Sequence, residues 1–115
     1  MLISTAPFIA GWRVQETKGH VFGLVVRSRG LGGNVMAGLR SIGGGEIHEY
    51  TSLLEDTRRQ AIDRMVQTAT MMGGNAVISM RFDSSEMAST MTEIVAYGTA
   101  VVVVPDSQAP QPPSE

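Results

Sequence analysis

Residues 46–82 read EIHEYTSLLEDTRRQAIDRMVQTATMMGGNAVISMRF, and this stretch decides the fold class. Its longer first part repeats apolar side chains every three or four positions, which is the spacing of an α-helix that buries one face. The positions that follow this spacing are Ile47, Tyr50, Leu54, Ala61, Met65, Ala69 and Met72. Its last part, residues 76–82, alternates around Ile78 and Met80 as a β-strand does. The sequence therefore predicts a long helix that leads into a sheet, an α+β fold.

Capping residues mark both ends of this helix. Ser52 and Glu55 have the spacing of a capping box, so the helix should begin at about Ser52 or one turn earlier. Gly73 is the residue type that most often closes a helix, because it adopts the left-handed conformation without strain. We therefore predict a helix from about Ser52 to Gly73, packed on one face of an antiparallel or mixed sheet.

The N-terminal half of the chain predicts strands and glycine-rich turns. Residues 2–5 suit a short edge strand, which Pro7 ends. Residues 12–27 suit two strands, or one strand that bends or bulges at Gly19 or Gly23. A glycine-rich connection follows, and after it Asn34 is placed to cap a short helix over residues 35–42.

The C-terminal half of the sheet is predicted from residues 92–104, which are rich in β-branched side chains and should pair antiparallel with 76–82. The polar stretch between them, 83–90, predicts a mobile hairpin loop. Residues 100–104 are apolar at every position, so both faces of that strand should be buried. One helix covers one face, and the short helix at 35–42 is a small cover. A neighbouring copy of the chain should therefore supply the rest and close an exposed edge, which predicts a homo-oligomer.

The length of the chain, 115 residues, allows one domain. We place that domain at residues 1–104. Residues 105–115 are rich in proline and lack an apolar anchor, so they are expected to form a disordered tail that the domain does not need.

Composition narrows the classes of partner and compartment. The net charge is −2 and the nine basic residues are scattered, which argues against nucleic acid as a main partner. The chain has no cysteine, so disulfides, thiolate nucleophiles and thiolate metal sites are excluded. The N-terminus lacks the pattern of a signal peptide, and the longest apolar run, 100–104, is far shorter than the ~18 residues of a membrane span. The expectation is a cytoplasmic protein without a membrane partner.

Glu46 and His48 are the candidate metal ligands. They stand two apart, so an extended backbone would point both side chains to the same side and provide half of a metal site. The alternative is that His48 is an ordinary polar residue ahead of the helix. A divalent metal ion is the cofactor that this pair would bind. No other feature of the sequence indicates a cofactor.

Other chemistry finds weaker support in the sequence. Thioether ligation of copper(I) would need exposed methionines, and Met87 and Met91 in the polar stretch are the candidates, since Met65, Met71, Met72 and Met80 lie at core positions. The glycine-rich turns lack the P-loop pattern, and tight turning explains them without an anion. No serine stands in a nucleophile motif with a histidine as its base. The sequence gives no catalytic residues.

Several segments, taken in order, resemble the YbjQ-like family of uncharacterised proteins over residues 1–104. The segments are LISTAP (2–7), VFGLVV (21–26), NVMAGLRSIGGG (34–45), EYTSLLEDTRRQAIDRM (49–65), GGNAVISMRFD (73–83) and YGTAVVV (97–103). The resemblance implies a small β-α-β-β unit similar to the dodecin subunit, subunits assembled as rings that are commonly pentamers, and a heavy-metal-binding role. It implies no catalytic residues.

Residues and resemblance together favour a non-enzymatic, homo-oligomeric binding or scaffold protein with a metal ion as its ligand. Two alternatives remain open. One is a small-molecule pocket between subunits, although six aromatic residues provide few stacking surfaces. The other is an enzyme, which would need a buried acid or base in a cleft between subunits.

Overall fold

A four-stranded sheet carries a long helix on one of its faces. The computed structural model describes residues 1–28, 48–88 and 91–106. Within these ranges the elements are β1 (Leu2–Ile3), β2 (Trp12–Ser28), α1 (His48–Met71), β3 (Ala76–Ala88) and β4 (Met91–Pro105). The strand order is β1-β3-β4-β2, with β1 parallel to β3 and both β2 and β3 antiparallel to β4. The predicted α+β class with a mixed sheet on one long helix is confirmed, and two strands precede that helix where the resemblance implied one.

The helix α1 begins one turn before Ser52 and ends two residues before Gly73. Gly73 adopts a left-handed φ of 89° and its N–H donates to the carbonyl of Thr70 at 3.0 Å. The N–H of Gly74 donates to the carbonyl of Ala69 at 2.9 Å. This pair of bonds is a Schellman motif, so Gly73 ends the helix in the way that the sequence predicts.

The strand β2 is a single bent strand, one of the two forms predicted for residues 12–27. Its pairing with β4 shifts register between Val14 and Glu16 and again between Thr17 and Gly19. Gly19 has a φ of 131°, which glycine adopts without strain. Of the two predicted bend positions, Gly19 is the one at a register shift, and Gly23 has a different role.

Gly23 is where the helix lies closest to the sheet. A Cβ atom at this position would overlap the carbonyl oxygen of Ala61 and the amide nitrogen of Met65. Ala61, Met65 and Ala69 repeat every four residues along α1 and are fully buried. Small side chains on the helix and a missing side chain on β2 therefore let the two backbones approach. This approach fixes α1 over the β2 side of the sheet.

The prediction of a loop at 83–90 is wrong for residues 83–88, which belong to β3. They pair with the start of β4, from Asp83 opposite Val95 to Ala88 opposite Met91. Residues 83–86 are exposed, so their polar composition reflects contact with water and not the absence of a strand. Pairing with β4 satisfies their backbone groups on one side.

The prediction that a neighbouring copy must cover the second face of 100–104 is also wrong. Ala76, Val101 and Val103 form a small buried cluster away from the helix, and Ile9 of the N-terminal segment packs against it together with Ile78. The chain thus covers this face itself. The hydrogen bonds that attach the N-terminal segment include Ser4 N–H to the carbonyl of Val77 (2.9 Å), Ser79 N–H to that of Ala6 (2.9 Å) and Met80 N–H to that of Ser4 (3.0 Å).

Three sequence predictions fall on parts of the chain outside the described ranges. They are the short helix at 35–42, the glycine-rich turns around it, and the tail from residue 107 onward. The first two residues of the expected tail are described. Pro105 is the last residue of β4, and Asp106 donates its N–H to the carbonyl of Gly11 at 2.9 Å. In the described parts of the chain, no helix has the length and apolar composition to cross a membrane.

Candidate functional site

The predicted metal pair is at the edge of what the structure describes. Glu46 lies outside the described residues, and His48 is the first residue of α1, where the backbone is described and the side chain is not. The sequence argument needed an extended chain through both residues. At His48 the backbone is helical, and the backbone at Glu46 is not among the described residues. The pairing of Glu46 with His48 therefore stays a prediction.

Other metal donors are dispersed. Within residues 1–28, 48–88 and 91–106, no three side chains of His, Asp or Glu come together as a group that would hold an ion. Among the methionines, Met65 and Met80 are buried as predicted. Met71 is wrong as a core prediction, because it is 87% exposed at the end of α1.

The one buried polar side chain in the described residues is Thr57, which is 1% exposed. Its hydroxyl donates to the carbonyl of Leu53 at 2.8 Å and accepts from Nε of Arg27 at 3.3 Å. The first bond lies within α1, and the second joins α1 to the end of β2. Thr57 is therefore a structural residue, and no acidic or basic side chain in these parts of the chain is buried.

In the described parts of the chain, the face of the sheet opposite α1 carries an apolar surface that is exposed to water. Val21 and Val25 face the helix, so the alternating residues of β2 face away from it, and Tyr97 of β4 lies opposite Phe22 in the register. We call this surface the bare stripe; its residues are Phe22, Leu24, Val26 and Tyr97, between 37% and 53% exposed. The ring of His20 stacks beside Phe22, with centroids 6.4 Å apart. Contact with water at a patch of this kind is typical of an interaction surface.

A shallow groove lies at the opposite end of β2. It has a volume of about 580 Å³, and we call it the Trp12 groove; its lining residues are Met1, Leu2, Trp12, Thr70, Gly74 and Asn75. The hydroxyl of Thr70 donates to the carbonyl of Val66 at 2.8 Å. The amide of Asn75 bonds to both the N–H and the carbonyl of Val103, at 2.8 and 3.0 Å. Since its polar side chains already have partners within the chain, the groove offers mainly apolar contact.

A second cavity, of about 450 Å³, lies at the edge of β3. Thr5, Met80, Arg81 and Phe82 line it. Nη1 of Arg81 donates to the carbonyls of Thr5 at 2.6 Å and Met80 at 2.8 Å, and the guanidinium of Arg58 lies 5.1 Å from the centre of the Phe82 ring. Arg81 thus holds the N-terminal segment against β3, which is a structural role.

Sequence reasoning missed the bare stripe and the Trp12 groove. The signal for the stripe was present, because residues 21–26 are apolar at every position except Gly23. Such a run indicates burial on both faces in the same way as 100–104, and the sequence does not say which run the chain covers itself. The groove had no signal, since its lining comes from both ends of the chain and from the end of α1.

Comparison with known proteins places this arrangement in a family. A family model described as "Putative heavy-metal-binding", YbjQ, matches residues 1–104. A UPF0145 protein of Bradyrhizobium sp. (strain ORS 278) is 58% identical over 105 residues, which cover 91% of this chain and 95% of that protein. A UPF0145 protein of Methanoregula boonei is 53% identical over 112 residues, covering 97% and 93%.

A solved structure shares the fold at low identity. It is a protein of unknown function from Pediococcus pentosaceus, assigned to the DUF74 family, with a TM-score of 0.59 and 15% identity. The match covers 90% of this chain and 98% of that one. At this identity the likeness concerns the fold alone.

Proposed function

The chain belongs to the YbjQ family, whose description is "Putative heavy-metal-binding", and on that premise we propose that it is a homo-oligomeric binding or scaffold protein, a ring of five subunits, whose ligand is a metal ion. The proposed role is binding and not catalysis. The residues described here offer no buried acid or base that would favour an enzyme.

The bare stripe is the observation that carries self-association. Its four apolar side chains face away from the only helix that the described residues contain. Burial of apolar surface is worth roughly 25 cal/mol per Å². A stripe of this kind therefore favours contact with another protein surface, and further copies of the chain are the partners always present at its own concentration.

An assembly would also supply the metal ligands that a single chain lacks. Zinc in proteins takes four ligands, most often from Cys, His, Asp and Glu. Glu46 and His48 of one chain would provide two, and cysteine is absent. Neighbouring copies would repeat the same two donors around a ring and complete a coordination shell at or near the contact between subunits. The metal proposal is therefore linked to the assembly proposal.

The mass of the assembly in solution is the first test. We expect size-exclusion chromatography with light scattering, and native mass spectrometry, to give five times the 12.3 kDa of one chain at micromolar concentration. A stable species of 12.3 kDa would remove the proposal. A different closed multiple would keep the homo-oligomer and correct the ring size.

The metal site is tested at His48. We expect His48→Ala to lower the zinc or copper affinity about tenfold or more at pH 7, because loss of a ligand or of its supporting shell has effects of this size. Titration calorimetry measures the affinity. The matched control is His20→Ala, which removes the other histidine of the chain from the face opposite α1. Equal metal binding by the His48 variant and the unchanged chain would refute a site at this position.

A small-molecule binding role is the second candidate, and the Trp12 groove is the observation that favours it. Its walls are an indole ring and aliphatic side chains, which suit an organic ligand better than an ion. If this role is correct, titration calorimetry with zinc should detect no binding. An added apolar ligand should instead change the fluorescence emission of Trp12.

A further inference from the structure

The Trp12 groove lies where the described part of the chain ends. Trp12 is the register partner of Pro105, the last residue of β4. Asp106 then donates its N–H to the carbonyl of Gly11 at 2.9 Å, which fixes this residue next to the start of β2 as well. Residues 107–115 continue from this point and lie outside the described ranges. The segment that follows Asp106 therefore starts at the Trp12 side of the groove.

The sequence of this segment favours one backbone conformation. Residues 107–115 read SQAPQPPSE, with prolines at positions 110, 112 and 113. Each proline fixes its own φ at about −65° and restricts the residue before it to extended conformations. Residues 109–113 are therefore all biased towards the polyproline II helix. Because this bias exists before any contact is made, docking of these residues loses little conformational entropy.

The walls of the groove suit a polyproline II helix. Proline-rich segments in this conformation dock in grooves that are lined by aromatic side chains. Trp12 provides an aromatic surface that is 37% exposed, and Met1 and Leu2 provide aliphatic contact. Among the described residues, none accepts a hydrogen bond from the indole N–H of Trp12. This N–H can donate to a carbonyl of the docked segment, since a polyproline II helix has no internal hydrogen bonds.

The dimensions of the groove match a short piece of such a helix. The lining residues Trp12 and Leu2 belong to β2 and β1, the outer strands of the described sheet, which are three strand spacings or roughly 14 Å apart. A polyproline II helix rises about 3.1 Å per residue, so residues 109–113 span roughly 12 Å. Residues 106–109 are enough for a β-turn that brings Pro110 back over Trp12. The segment therefore has the length to cross the groove.

We infer that the proline-rich residues 109–113 dock in the Trp12 groove of their own chain as a polyproline II helix. Attachment at Asp106 holds the segment at an effective concentration on the order of millimolar, so a weak contact is enough to fill the groove. A proline-rich segment of another molecule lacks this advantage. Composition alone predicts a disordered tail, because the groove that the tail meets is formed by distant parts of the chain.

The docked segment would act as an internal competitor. An apolar ligand that enters the Trp12 groove has to displace residues 109–113 first, so the segment lowers the affinity of the groove for such ligands. The inference depends neither on metal binding nor on assembly, since the groove and the segment belong to one chain.

Tryptophan fluorescence tests the contact, because Trp12 is the only tryptophan of the chain. In the full-length chain, the triple substitution Pro110→Ser, Pro112→Ser and Pro113→Ser removes both the proline rings and the conformational bias. We expect the Trp12 emission to shift to longer wavelength and acrylamide to quench it more strongly, because water reaches the indole. Ser114→Ala, next to the proline run, is the matched control and should change neither. Unchanged emission and quenching in the triple variant would refute the inference.

Crosslinking between introduced cysteines identifies the groove that the segment occupies. The chain has no cysteine, so only the introduced thiols react. Thr70 lines the groove, and we expect Thr70→Cys combined with Ser114→Cys to be crosslinked within one chain by a short bis-maleimide, which mass spectrometry detects. Gln60→Cys combined with Ser114→Cys is the control, since Gln60 is an exposed residue of α1 outside the groove, and it should react more slowly. Equal rates for the two pairs would show an undirected tail and contradict the docking.

The remaining outcomes separate this inference from the proposed function. Crosslinks that join two chains, and none within one chain, would place the segment in the groove of a neighbouring copy and overturn the assignment to its own groove. A monomeric chain without zinc binding that still forms the crosslink between positions 70 and 114 within one chain would remove the proposed function and support this inference.

Discussion

Gly23→Ala is expected to prevent the subunit from folding. The added methyl group would overlap the carbonyl oxygen of Ala61 and the amide nitrogen of Met65, which are backbone atoms of the helix and have no rotamer to escape into. Relief requires α1 to move away from β2, and that movement opens the contacts of the fully buried Ala61, Met65 and Ala69. A loss of several kcal/mol is large against a total stability of ~5–15 kcal/mol. Urea denaturation followed by circular dichroism measures it.

Gly11→Ala is the matched control for this substitution. Gly11 has a left-handed φ of 83° and open space around the position of its missing Cβ. The same added methyl group therefore strains only the backbone, at about 1 kcal/mol. If both variants lose the same small amount of stability, the close approach of helix and strand at Gly23 is not needed for folding.

The second large effect is expected for Val103→Asp. Val103 is 3% exposed and lies in the small cluster with Ala76 and Val101, under Ile9 of the N-terminal segment. A buried carboxylate without a partner costs several kcal/mol, so we expect the subunit to unfold or to release its N-terminal segment. Thermal unfolding and limited proteolysis of the N-terminus distinguish these two results.

Val14→Asp is the control for that substitution. Val14 is the register partner of Val103 on β2 and is 42% exposed, so a charge there stays in contact with water. A loss of stability below about 1 kcal/mol is expected, as for most exposed positions. If Val103→Asp instead leaves the melting temperature unchanged and only dissociates an oligomer, the cover over Val103 belongs to another copy, as the sequence alone predicted.

Local patterns were sufficient for the helix and for most of the strands. The spacing of Ala61, Met65 and Ala69 identified the buried face of α1, and Gly73 identified its end, because both depend on contacts within a few residues. The polar residues 83–86 were misassigned for the opposite reason. Backbone hydrogen bonds to β4 stabilise this part of β3, and it has no apolar face. Such pairing does not require a particular residue composition, so the sequence did not indicate it.

The candidate site was much less predictable than the fold. Glu46 and His48 were chosen for their residue types and for an extended backbone, and the backbone at His48 belongs to the helix. The bare stripe and the Trp12 groove were not predicted, although the proposed assembly depends on the first and the proposed docking of residues 109–113 on the second. Each is formed by side chains that come together only when the sheet is complete.

The sequence by itself determined that this chain makes an α+β subunit, with its long helix, its mixed sheet and two runs of strand that are apolar on both faces. Only the tertiary structure decided which run is exposed to water among residues 1–28, 48–88 and 91–106. The N-terminal segment crosses β3 and shields the strand at Val101 and Val103, whereas Phe22 and Leu24 stay exposed. The physical reason is that side-chain alternation depends on neighbours in the chain, while the cover over each face depends on where distant segments pack.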